Sequence, residues 1–274
     1  MNIYIGTCGF SYPDWDGHFY PPEMPARDRL HYYADRFRTV ELDSLFYHIP
    51  SPDMIEKMVK RTRKEFRFNV KLHRSITHDF DLSAAEFSGY KRAIAPIVAS
   101  GKLCAVLAQF PPAFHCTRDS VQMLRTIRDE FEDLPLTVEF RHKSWNRPET
   151  FEFLRKQKIA YCAVDEPALP ASVITRTADF VYVRLHGRNA ATWFNARTAS
   201  ERHNYLYSDE ELNSWAVRIQ DAAREASAVY VLFSNVHEGK GALNARQLAV
   251  KLGLPAGPAI TKPANLGQIE LALK

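Results

Sequence analysis

The sequence predicts one α/β domain over residues 1–274, a barrel of the TIM (β/α)8 type that is irregular at its sixth and seventh crossovers. Three observations carry that expectation. Eight short runs have strand character, amphipathic segments with helix-start signals separate most of them, and no linker, repeat or composition shift divides the chain. Parallel neighbours need a crossover connection, and eight is the number of strands that closes a βα barrel. At 274 residues and 46% hydrophobic, the chain is long enough for such a barrel and its core. An open doubly wound sheet is the rival architecture.

The strand-like runs are Ile3–Cys8, Thr39–Asp43, Phe66–His73, Leu103–Phe110, Leu136–Arg141, Ile159–Asp165, Phe180–His186 and Val229–Asn235. Ser51-Pro52 offers an N-cap followed by proline in the first turn, with Ile55, Met58 and Val59 on one face. Ser83-Ala84-Ala85-Glu86 and Ser208-Asp209-Glu210-Glu211 both read as capping boxes, in which side chains satisfy orphan amides reciprocally. Thr117 can cap a helix carrying Val121, Leu124, Ile127 and Phe131. After Ser208, the residues Leu212, Trp215, Ala216 and Ile219 repeat at helical spacing. A last helix follows Gly241 through Leu243, Leu248 and Leu252. The sixth crossover, Glu166 to Asp179, is proline-rich and short; the seventh, Gly187 to Ala228, carries an extra loop before its helix.

The charge balance, 36 basic against 32 acidic residues or +4, suits an anionic ligand and falls well short of a nucleic-acid coat. Composition excludes disorder, collagen-like repeats and a disulfide scaffold. Cys8, Cys104, Cys116 and Cys162 form no CxxC pair, and three of them fall inside apolar runs, as buried thiols do. No basic, apolar leader opens the chain, and the longest apolar stretch, Leu103 to Phe110, is too short to span a bilayer. The expected setting is the cytoplasm, with no membrane partner.

Buried parallel strands usually read as continuous apolar runs. Here several do not. In Leu136–Arg141 one face is apolar while Thr137, Glu139 and Arg141 share the other, and in Phe180–His186 the polar face is Tyr182, Arg184 and His186. Arg67, Asn69, Lys71 and His73 alternate likewise, the second run adds Glu41 and Asp43, and other strands end in Gln109, Asp165 and Asn235. In a barrel the apolar faces lie beneath the helices. The polar faces point inward, and their C-terminal members converge at the mouth, where barrel enzymes place their sites. The same charges could instead neutralise one another in a buried network, although removing ions from water costs several kcal/mol before pairing offsets it.

On this basis the candidate catalytic residues are Glu139, Glu41, Asp165 and His186. The candidate substrate-binding residues are Lys71, Arg141, Arg184, His73, Gln109, Asn235, Trp15 and Tyr47. Glu139 is the expected general acid or base. The cations would hold an anion, and Trp15 and Tyr47 would wall the pocket. The segment Asn235–Gly241, entering a helix through Gly239 and Gly241, is a second place where backbone amides could meet an anion, with Arg184, His186 and Arg188 adding charge. No residue is assigned as a metal ligand: no HExxH or HxH pair occurs, and a divalent metal stands only as an alternative.

These strand-end motifs together resemble the YecE-like family, a domain of unknown function. The resemblance lies in Gly6-Thr7-Cys8-Gly9-Phe10-Ser11 with Trp15, Val40-Glu41-Leu42-Asp43-Ser44-Leu45-Phe46-Tyr47, and Phe68-Asn69-Val70-Lys71 with Thr77-His78. It continues through Gln109-Phe110-Pro111-Pro112, Val138-Glu139-Phe140-Arg141-His142 with Trp145, Val183-Arg184-Leu185-His186-Gly187 and Tyr205-Leu206-Tyr207-Ser208. It covers essentially the whole chain and implies a TIM barrel with one pocket at the strand ends, without implying a reaction. The chain departs from the family pattern at Asp43, where asparagine is usual, at Leu45 in place of threonine, and at Ser234-Asn235 in place of paired asparagines.

The expected function is an enzyme acting on a small anionic substrate, phosphorylated or carboxylated, at the C-terminal mouth. Hydrolysis or isomerisation is favoured over redox chemistry because no GxGxxG follows a strand. Two alternatives stand beside it: a metal-dependent phosphodiesterase or nuclease using a basic rim of Arg188, Arg197 and Lys240, and a barrel that binds a small ligand without chemistry.

Overall fold

The computed structural model describes residues 2–258 apart from 170–172, 194 and 197. In chain order its elements are β1 (Ile3–Thr7), α1 (Ala26–Ala34), β2 (Thr39–Leu42), α2 (Pro52–Lys60), β3 (Arg67–Lys71), α3 (Arg74–Thr77), α4 (Ala84–Ala99), β4 (Leu103–Gln109), α5 (Arg118–Glu130) and β5 (Leu136–Glu139). They continue with α6 (Pro148–Lys156), β6 (Ala160–Asp165), β7 (Phe180–Leu185), α7 (Ala199–Arg202), α8 (Asp209–Ala223), β8 (Ala228–Phe233) and α9 (Lys240–Lys251). The eight strands form one sheet in the order β1-β8-β7-β6-β5-β4-β3-β2, and every neighbouring pair is parallel. This is the eight-stranded α/β barrel expected from the strand count, rather than the open doubly wound sheet.

The seam between β1 and β2 carries no continuous ladder. A single bridge, Cys8 to Glu41, joins the two strands, and the Gly9 amide donates to the Glu41 carbonyl at 2.7 Å. Below it the Tyr33 hydroxyl fills the gap, accepting from the Thr7 amide at 2.8 Å and donating to the Thr39 carbonyl at 3.1 Å. Gly6 makes this approach possible, because a Cβ there would lie 2.1 Å from the Thr39 oxygen. The barrel is therefore nearly closed, with a side chain standing in for part of the last ladder.

The apolar interior is split by the strands. Val181, Val183 and Leu185 of β7 and Val229, Val231 and Phe233 of β8 join the large cluster shared with the helices. Cys8, Cys104, Ala105, Cys162, Val164, Tyr182, Tyr230 and Leu232 form a second, smaller cluster inside the barrel. Alternate residues of each strand thus serve different layers. Three of the four cysteines act as small apolar filling within the barrel, and all four are unpaired.

Local signals set most helix starts. Ser51, Thr117 and Ser208 accept from the amides of Met54, Ser120 and Glu211. Ser208 and Glu211 complete a capping box. The expected box at Ser83 forms only by half. Its hydroxyl accepts from the Glu86 amide, but Asp81 already takes the Ser83 N–H, so Glu86 turns to Ser75 Oγ instead. Helices α1 and α6 start without a side-chain cap, after Pro25 and Arg147, and the start signal at α6 is Pro148 in its first turn. Among the described residues of 166–179 no helix forms, while the seventh crossover holds both α7 and α8. No helix of the described residues is long and apolar enough to cross a membrane.

Candidate functional site

The inward faces of β2, β3, β5 and β7, with the residue following β6, bring seven charged side chains together at the C-terminal mouth. Register accounts for this. Val164 pairs with Arg184 and Asp165 with Leu185, so Arg184, His186 and Glu166 fall on the inner face while Asp165 shares the outer face with Leu185. Glu139 lies at the centre, fully buried. Its Oε2 accepts from Arg184 Nη1 at 2.7 Å, and its Oε1 accepts from Arg141 Nε at 2.5 Å. Arg184 then reaches across the barrel, donating from Nη2 to Glu41 Oε1 at 2.7 Å and to Asp43 Oδ1 at 3.4 Å. Tyr182 donates to the other oxygen of Glu41 at 2.6 Å. Arg141 donates in turn to Glu166 Oε2 and, at 3.0 Å, to His186 Nε2.

Electrostatics separate the carboxylates. Burial alone would raise Glu139, but Arg141 and Arg184, with His186, outweigh it and hold the group well below the usual range. At Glu41 burial prevails over Arg184, and neighbouring Asp43 adds to the rise, so the carboxyl is pushed up to about 8. Burial likewise pushes Glu166 up to about 7 against the pull of Arg141. Asp43, its side chain 24% exposed, goes the other way: Arg184 and Lys71 overcome its burial. Burial and Arg141 keep His186 neutral, well below the usual imidazole range. Lys71 is nine-tenths buried, with Nζ 4.2 Å from the centre of the Phe46 ring; burial lowers it against the pull of Asp43. Among the described residues it makes no hydrogen bond or ion pair with any carboxylate.

The other expected site residues lie elsewhere. Asp165 pairs with Arg188 at 3.0 Å and accepts from Trp215 Nε1 at 3.2 Å, on the helix side of the wall. Glu166, one residue later, takes the inward place. His73 caps α3, with Nδ1 2.8 Å from Ser75 Oγ. Gln109 faces inward in register with Glu139 but donates to the Phe110 carbonyl at 2.8 Å. Asn235 ties β8 to α9 and the seventh crossover, donating to Asn244 Oδ1 and the Tyr205 carbonyl, both at 2.9 Å. Trp15 is fully buried, donates to the Val236 carbonyl at 2.6 Å and packs with Phe19 and Tyr20. Tyr47 stands on the rim, 74% exposed, edge-on to Phe46.

The second anion position expected at Asn235–Gly241 is already filled by the protein. Asp14 Oδ2 accepts from the Glu238 amide at 3.0 Å and from Ser200 Oγ at 3.0 Å. Of the proposed basic rim, Arg188 is neutralised by Asp165 and Glu211, Lys240 bonds Asn204 and pairs with Glu238, and Arg197 lies outside the described residues. Among the described residues one group of potential metal ligands comes together, Cys8, Glu41 and Asp43, with donor atoms within 4.8 Å of one another. Arg184 Nη2 sits among them, 3.4 Å from Cys8 Sγ and in contact with both carboxylates. A guanidinium supplies the positive charge there, and the donor set does not fit a divalent ion without displacing it.

Sequence reasoning missed Glu166, and it set Tyr182 and Asp43 on the inward polar faces without assigning either to the site. Both faces of β6 are apolar or small, so only its register, which sets Cys162, Val164 and Glu166 in step with Tyr182, Arg184 and His186, turns Glu166 inward.

A family model described as Protein of unknown function DUF72 matches residues 4–266. The UPF0759 protein YunF of Bacillus subtilis is 32% identical over 267 residues, spanning 90% of this chain and 93% of that protein. Among solved structures, a DUF72 family protein of Thermotoga maritima is 37% identical, with a TM-score of 0.85 over 92% of this chain and 100% of its own. A DUF72 family protein of Enterococcus faecalis is 30% identical, with a TM-score of 0.78 over 92% of this chain and 98% of its own. Motifs, barrel and charged mouth thus fall within a match that spans nearly the whole sequence, and the chain belongs to the DUF72 family.

Proposed function

We propose that this protein is an enzyme acting on a small anionic substrate, phosphorylated or carboxylated, by proton transfer in a hydrolysis or isomerisation. One observation carries the reading: Glu41 and Glu166, both poised near neutrality, flank a Glu139-clamped arginine pair beside a buried lysine that no carboxylate claims among the described residues. General acid–base groups work best when their pKa lies near the operating pH. Glu41 and Glu166 meet that condition. Glu139, held ionised by two guanidiniums, does not; it positions Arg141 and Arg184. Lys71 is the anchor, because a buried ammonium with the Phe46 ring beside it and no carboxylate in ion-pair contact is costly, and an anionic ligand offsets that cost. Arg141, its side chain 15% exposed, is held in place by Glu139 and Glu166 and is the second cation assigned to the anion.

In this reading the whole chain, 1–274, is one domain of the type the YecE-like resemblance implies, and the two family names denote one family. The four unpaired cysteines support placement in a reducing compartment, the cytoplasm. Calorimetric titration with inorganic phosphate and with acetate tests the anchor. Wild type binds at least one of them, Lys71→Met weakens that binding by about tenfold or more, and Lys71→Arg retains part of it. Absence of binding by wild type, or unchanged binding by Lys71→Met, overturns the assignment.

A further inference from the structure

Most polar groups of the mouth are saturated by one another; Arg184 Nε, Asn69 Oδ1 and one nitrogen of an inward-lying imidazole are not. His186 is 2% exposed, and its Nδ1 has no hydrogen-bond partner among the described residues. The state of that nitrogen follows from its neighbours. An arginine can only donate, so the 3.0 Å contact from Arg141 Nη2 makes His186 Nε2 an acceptor. Glu139 Oε1, at 3.7 Å, is too far to take a proton from Nε2. The ring is neutral, so its single proton resides on Nδ1. Arg141 faces one edge of the ring, and Trp193 and His203 pack against it with centroids 6.4 Å and 5.7 Å away. His203 Nδ1 lies 3.3 Å from the His186 carbonyl oxygen, so its ring nitrogen is directed to the backbone.

A buried donor without an acceptor destabilises a fold, and such a group at a ligand site calls for an acceptor brought by the ligand. A neutral oxygen suits this place better than a charged one. The imidazole carries no charge to balance an anion, and the Glu139 carboxylate beside it repels one. We propose that His186 Nδ1–H binds a neutral hydroxyl or carbonyl oxygen of the substrate, so that the substrate class is a short hydroxy or oxo carboxylate. The charged end would meet Lys71 and Arg141 and the neutral oxygen would meet His186. This rests on the mouth being an anion site, and it names the substrate of that site more narrowly.

Histidine-selective 15N NMR on the full chain, titrated with acetate, glycolate and pyruvate, tests it. The free protein shows His186 as the Nδ1–H tautomer. Wild type binds glycolate and pyruvate about tenfold more tightly than acetate, with a shift of the Nδ1 resonance on binding. His186→Gln, whose amide mimics the Nε2 edge, removes the preference; His186→Asn, which places a donor near the Nδ1 position, keeps part of it. Equal affinity of wild type for all three acids overturns this inference and leaves the anion site standing, as does failure to bind any of them by protein that binds inorganic phosphate, whereas no binding of these acids or of phosphate overturns the anion site itself. A proton found on Nε2, or an Nδ1 resonance that glycolate does not move, also overturns the inference and assigns that position to the protein's own structure or to water.

Discussion

Asp165 and Glu166 are neighbours at the end of β6, and they go to opposite sides of the barrel wall. Asp165, its side chain 12% exposed, meets Arg188 on the helix side, a contact completed by Glu211, with the Arg188 side chain 43% exposed. Glu166 meets Arg141 on the inside, its own side chain 2% exposed. The residue types are nearly the same, and the physics is not. In the outer network water reaches the shared Arg188 guanidinium and screens its pairs, which draws them toward the about 0–1 kcal/mol of surface pairs. In the inner network a lost partner leaves an uncompensated charge in a poorly solvated place, or forces a proton to move. Inside the wall, the protein also responds by shifting protonation: Glu166 and Glu41 rise toward neutrality while Glu139 and Asp43 stay ionised. A charge on a barrel strand therefore acquires its role from parity and burial rather than from its chemical type.

The largest effect should come from breaking the inner network at its hub. Arg184→Met leaves Glu41 and Glu139 without their shared cation, and the expected loss of stability is about 3–5 kcal/mol, read as a lowered urea midpoint. A loss as small as that of an outer-network variant would show that the cluster is solvated and the contrast between the two sides unreal.

The next effect is in pH dependence. Glu41 and Glu166 have folded-state pKa values raised above 4.5, so the folded state binds more protons than the unfolded one. Their contribution is fully present below about 4.5 and is lost as pH rises through about 7 for Glu166 and about 8 for Glu41. Asp43 and Glu139, with lowered values, contribute in the opposite sense, and their stability is lost in acid. The double variant Glu41→Gln, Glu166→Gln should therefore show a flatter profile of Tm against pH above 4.5 than wild type does, with the acid limb retained. An unchanged slope in that window would contradict the raised values.

The smallest effect belongs to the outer network. Asp165→Asn keeps an acceptor for Trp215 and removes only the partly exposed ion pair with Arg188, so stability should change by about 1 kcal/mol or less, and by less still at high salt. A salt-independent loss comparable to that of Arg184→Met would place Asp165 on the same footing as the inner carboxylates.

The inner face was readable wherever a strand alternates sharply. In β5 and β7, Thr137-Glu139-Arg141 and Tyr182-Arg184-His186 stand against apolar neighbours, and the structure puts those polar sets inside. In β6 both faces are apolar or small, with Cys162 and Val164 on one and Ala163 on the other, so its parity was hidden and Asp165 was chosen over Glu166. Asn235 misled for a related reason. The strand-end position suggested a pocket, but the residue falls on the outer parity of β8 and joins Asn244. The glycine loop near Gly239 had the features of an anion site, and the anion it holds is Asp14, 224 residues away in the chain.

By itself the sequence determined the eight strands, their order along the chain, most helix starts and the polar faces that line the barrel, because period-two alternation and end caps are local properties of neighbouring residues. Only the tertiary structure decided which charges meet. Closing the sheet sets every strand's register against the others, seals the β1–β2 seam with a tyrosine hydroxyl, and brings Arg184 to 2.7 Å from both Glu41 and Glu139 although the three lie far apart in the chain. Protonation follows from that encounter, since burial and neighbouring charge, not residue type, set whether a carboxyl holds its proton near neutral pH.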